Sequence, residues 1–174
     1  MGVLGYGRVG QQVCQAAVGL GFTTLAWRRT ESVANSVTIC AGDSGLRSVL
    51  SQCDYIINTL PLTEQTQGLI DYERLCRFKK NAWFINVGRG ATVVEPDLLR
   101  ALDQGGLAGA WLDVFEAEPL PPAHPFWDHP KVRLTPHIAG LTDPSDAAEQ
   151  IIQSYNRVIL GQPPAHLIDR EKGY

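Results

Sequence analysis

Residues 1–10 read MGVLGYGRVG, a short apolar run that ends in three glycines, Gly5, Gly7 and Gly10, at G-x-G-x-x-G spacing. A helical pattern follows at once. Val9, Val13, Ala16 or Ala17, and Leu20 fall on one face at helical spacing, and Gly21 stands where a glycine would close the helix. Strand, turn and helix in this order predict a dinucleotide-binding turn in which each glycine has a separate task. Gly5 permits the tight turn, Gly7 lets the backbone approach a pyrophosphate, and Gly10 lets the helix pack closely on the strand. The free N–H groups and positive end of the helix then receive phosphates.

Working outward, residues 22–27 (FTTLAW) form a second strand, closed by Arg28-Arg29-Thr30. In dinucleotide folds an acidic side chain at this strand end accepts from the ribose 2′-hydroxyl of NAD, whereas arginine suits the 2′-phosphate of NADP. Arg28 and Arg29 occupy the place, which favours NADP; Glu31, just beyond, keeps NAD as an alternative. Residues 31–45 are small and polar, with at most a short strand near 37–40, and 46–52 read as a helix. Residues 54–60 are a buried-type strand ending in Pro61, followed by a polar loop at 63–66 and a helix at about 71–78. A strand at 82–87 is interrupted by Gly88-Arg89-Gly90. Glu95-Pro96-Asp97 opens a helix that Gly105-Gly106 closes. A strand at 108–114, a proline-rich loop at 119–130 and a short strand at 132–134 come next. Asp143-Pro144 caps a last helix with an apolar stripe of Ala148, Ile151 or Ile152, Tyr155 and Val158 or Ile159, and the tail from Gly161 is loop-like. Apolar strands alternating with helices predict a parallel sheet covered on both faces. The expected architecture is an α/β Rossmann-type doubly wound parallel sheet, a single domain. Residues 1–141 form the dinucleotide-binding domain and 142–174 a C-terminal helix and tail.

Composition narrows the function. The 174 residues carry a net charge of −3, which argues against nucleic acid as a partner. Cys14, Cys40, Cys53 and Cys76 show no C-x-x-C or metal-ligand spacing and read as buried or incidental thiols in a reducing compartment. No metal site is expected. No apolar stretch is long enough to span a bilayer, so the expectation is a cytoplasmic protein without a membrane partner. The glycine turn begins at residue 5, leaving only four residues for a mid-sheet strand, so the chain reads as cut at its front.

Three charged residues each stand just past a predicted strand, where open α/β sheets bind ligands. Arg89, between two glycines, offers a planar guanidinium that can grip a carboxylate with two hydrogen bonds. Glu118 precedes Pro119, and His137 follows Pro136, which stiffens the approach. Histidine and carboxylate form a recurrent acid/base pair. His124, His129 and His166 read as ordinary hydrogen-bonded residues. Trp27, Trp83 and Trp111 read as core, with Trp127 placed to line a pocket.

The runs at 2–10, 61–70 (PLTEQTQGLI), 86–90 (NVGRG), 112–120 (LDVFEAEPL) and 135–139 (TPHIA) resemble the signature segments of the D-2-hydroxyacid dehydrogenase family. Trp27-Arg28-Arg29-Thr30 and the closing residues 169–174 (DREKGY) are similar to its glyoxylate/hydroxypyruvate reductase A branch. The resemblance implies that Arg89 binds the substrate carboxylate and polarises the keto group. It also implies that His137 donates the proton, Glu118 orients and charges the histidine, and Asp113 faces the nicotinamide. Coenzyme contacts are implied for Gly5, Tyr6, Gly7, Arg8, Val9 and Gly10 at the opening turn, and for Trp27, Arg28, Arg29 and Thr30 at the second strand. Further contacts are implied at Leu60, Pro61 and Thr66, at Val87, Gly88 and Arg89, and at Asp113, His137 and Gly140. The implied reaction is hydride transfer from NADPH, with NAD possible, to a small 2-keto acid such as glyoxylate or hydroxypyruvate, by a homodimer. Family members also carry an N-terminal substrate domain of roughly a hundred residues, so this chain alone is expected to turn over weakly or not at all. The alternative is a nucleotide-binding sensor or interaction module without turnover.

Overall fold

The computed structural model describes residues 1–165 and 167; His166 and the 169–174 run lie outside the described residues. Seven parallel strands form one sheet: β1 (Gly2–Leu4), β2 (Leu25–Arg28), β3 (Thr38–Ala41), β4 (Tyr55–Asn58), β5 (Trp83–Asn86), β6 (Gly109–Leu112) and β7 (Val132–Leu134). They lie in the order β3-β2-β1-β4-β5-β6-β7. The helices are α1 (Arg8–Gly19), α2 (Gly42–Gln52), α3 (Tyr72–Leu75), α4 (Glu95–Asp103) and α5 (Pro144–Ile159). This is the Rossmann-type fold expected from the glycine turn, with β1 in the middle of the sheet. The chain divides into two compact units, Met1–His137 and Ile138–Tyr174.

Crossover direction decides which helix covers which face. A right-handed crossover that steps one way along the sheet lays its helix on one face, and a step the other way uses the opposite face. The step from β1 to β2 runs toward β3 and carries α1. The steps from β3 onward run the other way and carry α2, α3 and α4. Accordingly, Leu46, Val49 and Leu50 of α2, Leu75 of α3, and Leu98 and Leu102 of α4 share one cluster with Leu4, Trp27, Ile56, Phe84 and Leu112 of the sheet. On the opposite face Cys14 of α1 packs with Val3 and Ala26. Burial there falls along one register row, from Val3 through half-buried Ile57 and Ile85 to Trp111, which is 48% exposed. Trp111, expected in the core, is therefore corrected to a partly open face, because alternation along β6 sends Ala110 and Leu112 to the covered side. Trp27 is core, its indole N–H donating to Gly42 O over 2.8 Å.

Three further expectations change. The buried stripe of α1 is Gly10, Cys14 and Ala17, while Val9, Ala16 and Leu20 are exposed. The reason is contact with the turn: a Cβ on Gly10 would stand 1.9 Å from Gly5 O, so the closest stripe must be small. Helix α2 begins at Gly42 rather than Leu46, because Gly45 lets its first turn sit on the end of β3, where a Cβ would lie 2.5 Å from Cys40 C. Helix α3 stops at Leu75 because Arg77 and Phe78 tighten into i→i−3 bonds of 3.0 and 3.1 Å. In the second unit the cap of α5 is as expected, Asp143 accepting from the Ser145 and Asp146 N–H groups, and none of the helix's residues is buried.

Candidate active site

Register brings the candidate residues to one edge. Leu4, Asn58, Asn86, Leu112 and Leu134 are successive register partners across β1, β4, β5, β6 and β7, so the loops that follow them leave the sheet side by side. Between β1 and β4 the strand order reverses, and that is where open α/β sheets hold ligands.

At β1 the Gly5 N–H donates to Trp27 O over 2.9 Å, and Gly5 has φ +97°, a left-handed conformation that favours glycine. Gly7 is the N-cap of α1; a Cβ there would meet nothing within 4 Å, and no acidic residue lies in the first turn. The helix thus presents uncapped N–H groups to open space, which suits a pyrophosphate. Tyr6 is half-buried beside this mouth, and Arg8 and Val9 are exposed along it. Half-buried Arg28 and Arg29, then exposed Thr30, follow at the end of β2. The Trp27 side chain is turned into the core, away from that edge.

The loop after β4 holds buried Leu60 and Thr66 and half-buried Pro61. The Thr66 hydroxyl donates to Pro61 O over 2.6 Å and accepts from the Thr63 N–H, so it is spent on shaping the loop. After β5 come Val87, Gly88 and exposed Arg89. A Cβ on Gly88 would lie 2.7 Å from Leu60 O, which ties this loop to its neighbour.

A buried polar network that the sequence reading missed sits beneath Arg89. Asn58 Nδ2 donates to Asn86 Oδ1 at 2.9 Å and to Thr92 Oγ1 at 2.8 Å. The Thr92 hydroxyl and Asn86 Nδ2 both donate to Arg89 O, and the Gly88 N–H donates to Asn86 Oδ1. The signal was present: Asn58 and Asn86 are the polar last residues of two otherwise apolar strands.

Beyond β6, buried Asp113 accepts from the Thr135 hydroxyl through Oδ1, and its carbonyl accepts the His137 N–H over 2.8 Å. His137 takes φ +54°, uncommon for a non-glycine residue. Its Nδ1 lies 2.7 Å from Glu118 Oε2, while Glu118 Oε1 accepts the Phe115 N–H over 3.0 Å. Burial pushes the Glu118 carboxyl up, but the hydrogen bonds from His137 and Phe115 and the charges of His137 and Arg89 outweigh it and hold it below the ordinary value. The Arg89 guanidinium donates from Nη1 to the neighbouring Gly88 O over 2.7 Å. With Nδ1 facing a carboxylate, that nitrogen carries a proton, and Nε2 is left for a substrate. A largely apolar cavity of about 700 Å³ adjoins the pair, lined in part by Phe115, Leu120, Trp127 and Leu134. His124, read as ordinary, pairs with Glu95 at 3.3 Å. Gly140 belongs to the second unit.

Residues 1–139 match the family model described as D-isomer specific 2-hydroxyacid dehydrogenase, NAD binding domain. Over all 174 residues the chain is 40% identical to a glyoxylate/hydroxypyruvate reductase A of Yersinia enterocolitica, and it spans 56% of that relative's length. A D-isomer specific 2-hydroxyacid dehydrogenase of Xanthobacter autotrophicus, solved with NADPH and MES, matches with a TM-score of 0.96 at 38% identity, over 100% of this chain and 72% of that one. The NADPH-dependent glyoxylate/hydroxypyruvate reductase of Sinorhizobium meliloti, solved with NADP and sulfate, matches with a TM-score of 0.94 at 35% identity, over 99% of this chain and 56% of that one.

Proposed function

Because the chain belongs to the D-isomer specific 2-hydroxyacid dehydrogenase family, whose NAD binding domain it carries, we propose that it serves the reduction of a small 2-keto acid, glyoxylate or hydroxypyruvate, with NADPH. The observation that carries this reading is the His137–Glu118 pair at 2.7 Å, beside the charge of Arg89, on the sheet edge that also holds the open glycine turn.

Gly7 and the first N–H groups of α1 would hold the pyrophosphate, on a turn shaped by Gly5 and packed through Gly10, and Arg28 and Arg29 would take the 2′-phosphate. Bound there, the dinucleotide supplies the hydride. Arg89 grips the keto acid's carboxylate and draws electron density from the carbonyl. His137 gives its Nε2 proton to the carbonyl oxygen as that oxygen becomes a hydroxyl, and Glu118 stabilises the imidazolium beforehand and fixes the ring through Nδ1. Buried Asp113 holds the His137 loop, since its carbonyl accepts the His137 N–H.

A positioned histidine contributes about 10²–10⁴-fold, whereas holding the reactants together contributes effective molarities of roughly 10⁵–10⁸ M. The candidate acid and anchor of this chain stand exposed or partly exposed at an open edge. On that balance these 174 residues alone bind coenzyme well and turn over weakly. The same reading makes the protein a cytoplasmic homodimer without a nucleic-acid or membrane partner. No helix among the described residues is long and apolar enough to cross a membrane.

Calorimetry with NADPH and NADH, followed by addition of glyoxylate, tests the reading. NADPH should bind about tenfold or more tighter than NADH, as a charge-assisted contact to the 2′-phosphate requires, and glyoxylate should bind only after it. Equal affinity would return the choice to NAD. Heat from neither nucleotide would remove the proposal.

A further inference from the structure

The Phe115–Glu116 peptide is where the loop of Arg89 meets the loop of Glu118. Gly90, next to Arg89, lies so close that a Cβ on it would stand 1.9 Å from Phe115 C and 2.5 Å from Glu116 N. The Phe115 N–H donates to Glu118 Oε1, whose partner oxygen meets His137 Nδ1. The Glu116 N–H points elsewhere: it donates to Glu95 Oε1 over 2.9 Å. Glu95 Oε2 lies 3.3 Å from His124 Nε2.

His124 is itself fixed in place. Its Nδ1 accepts from the Phe126 N–H at 3.3 Å, its backbone N–H donates to Pro121 O at 2.9 Å, and its ring lies 4.6 Å from that of Phe126. With Nδ1 accepting, Nε2 is the nitrogen that faces Glu95. The two side chains are 20% and 12% exposed, so water screens this contact far less than at an open surface pair. Glu95 also opens α4, where the helix dipole favours a carboxylate.

We propose that Glu95 and His124 are positioning residues for the reduction: through the Glu116 N–H they seat the Phe115–Glu116 peptide against Gly90 and so set the Glu118–His137 pair relative to Arg89. The roles of Arg89 and His137 in this statement rest on the reductase reading; the clamp itself rests on the bonds just given. A displacement of about 1 Å at reacting groups is enough to cost on the order of a hundredfold in rate, so a clamp two residues from Glu118 acts on the chemistry without touching substrate.

The groups that face the Glu118 carboxylate, namely His137, Arg89 and the Phe115 N–H, are all unchanged when Glu95 or His124 is replaced. Loss of the Glu95 negative charge would by itself lower the Glu118 midpoint, so a rise in Glu95→Ala reports geometry. Carbon NMR of the full chain, with the Glu118 signal identified by its loss in Glu118→Gln, gives that midpoint. Glu95→Ala should raise the Glu118 midpoint toward its ordinary value and speed amide exchange at Glu116 about tenfold. Glu95→Gln, which keeps an oxygen acceptor for the Glu116 N–H, should restore both. If Glu95→Ala does not fold, His124→Ala should give a smaller rise in the same direction. A lower melting temperature with the Glu118 midpoint unmoved in every folded variant would make the pair a structural brace and overturn the proposal. NADPH calorimetry on the unaltered chain keeps the two readings separate, since its failure removes the reductase reading and leaves the titration to judge the clamp.

Discussion

The turn at residues 5–10 and the loops at residues 113–137 share one edge of the sheet but are made of different materials. At the turn the working groups are backbone N–H atoms, and side chains matter chiefly by being absent. At the loops the working groups are side chains delivered from β6 and β7, with Glu118 paired to His137 and Asp113 to Thr135 across about twenty residues of sequence. The first site tolerates no added atom on its inner face and is indifferent on its outer one. The second depends on donors and acceptors that must all be present together.

Five substitutions test that contrast. The largest effect is expected from Gly10→Ala, whose Cβ would meet Gly5 O at 1.9 Å with no flexible side chain to give way. It should cost about 3 kcal/mol or more of stability, read by thermal melting. Gly7→Ala, with nothing within 4 Å, should melt within about 0.5 kcal/mol of the parent while weakening NADPH binding. Equal melting of the two would break the distinction between an inner and an outer glycine.

His137→Gln comes next. Whatever rate of glyoxylate reduction the chain supports should fall by about 10²–10⁴, with NADPH affinity unchanged by calorimetry. A parallel loss of affinity would mean that the two ends of the site are not separable. Smaller again, Asn86→Ala removes one partner of a buried network and leaves Asn58 Nδ2 and the Gly88 N–H short of an acceptor. About 1–3 kcal/mol of stability should be lost in chemical denaturation.

The smallest effect is electrostatic. The folded state holds the Glu118 carboxyl below its ordinary value of 4.5. The stability this contributes is fully present above that ordinary value, and it is lost as pH falls through the lowered midpoint. Melting curves of the parent should therefore decline more steeply below about pH 4.5 than those of Glu118→Gln. Parallel curves would show that the pair with His137 is not held in solution.

The same contrast explains what could be read in the sequence. The glycine turn is local: three glycines within ten residues imply strand, turn and helix. Arg89, Glu118 and His137 were legible because each stands just past an apolar strand. Their mutual contacts were not, since 19 residues separate Glu118 from His137 and only the sheet register brings them together. Glu95 and His124 escaped for a related reason. One opens a helix and the other sits in a proline-rich loop, each with an ordinary local explanation. The exposure of Trp111 was hidden because periodicity shows that a strand alternates, not which face its helices cover.

The central claim is that one coenzyme lies along the sheet edge with its phosphates on the opening turn and its reactive end beside His137. A single NADPH titration followed by amide and imidazole NMR tests it most directly. The account predicts saturable shifts at the Gly7, Arg8 and Val9 amides together with the His137 ring, all on one binding curve. Shifts confined to residues away from that turn, or a His137 ring that stays unmoved at saturation, would contradict it.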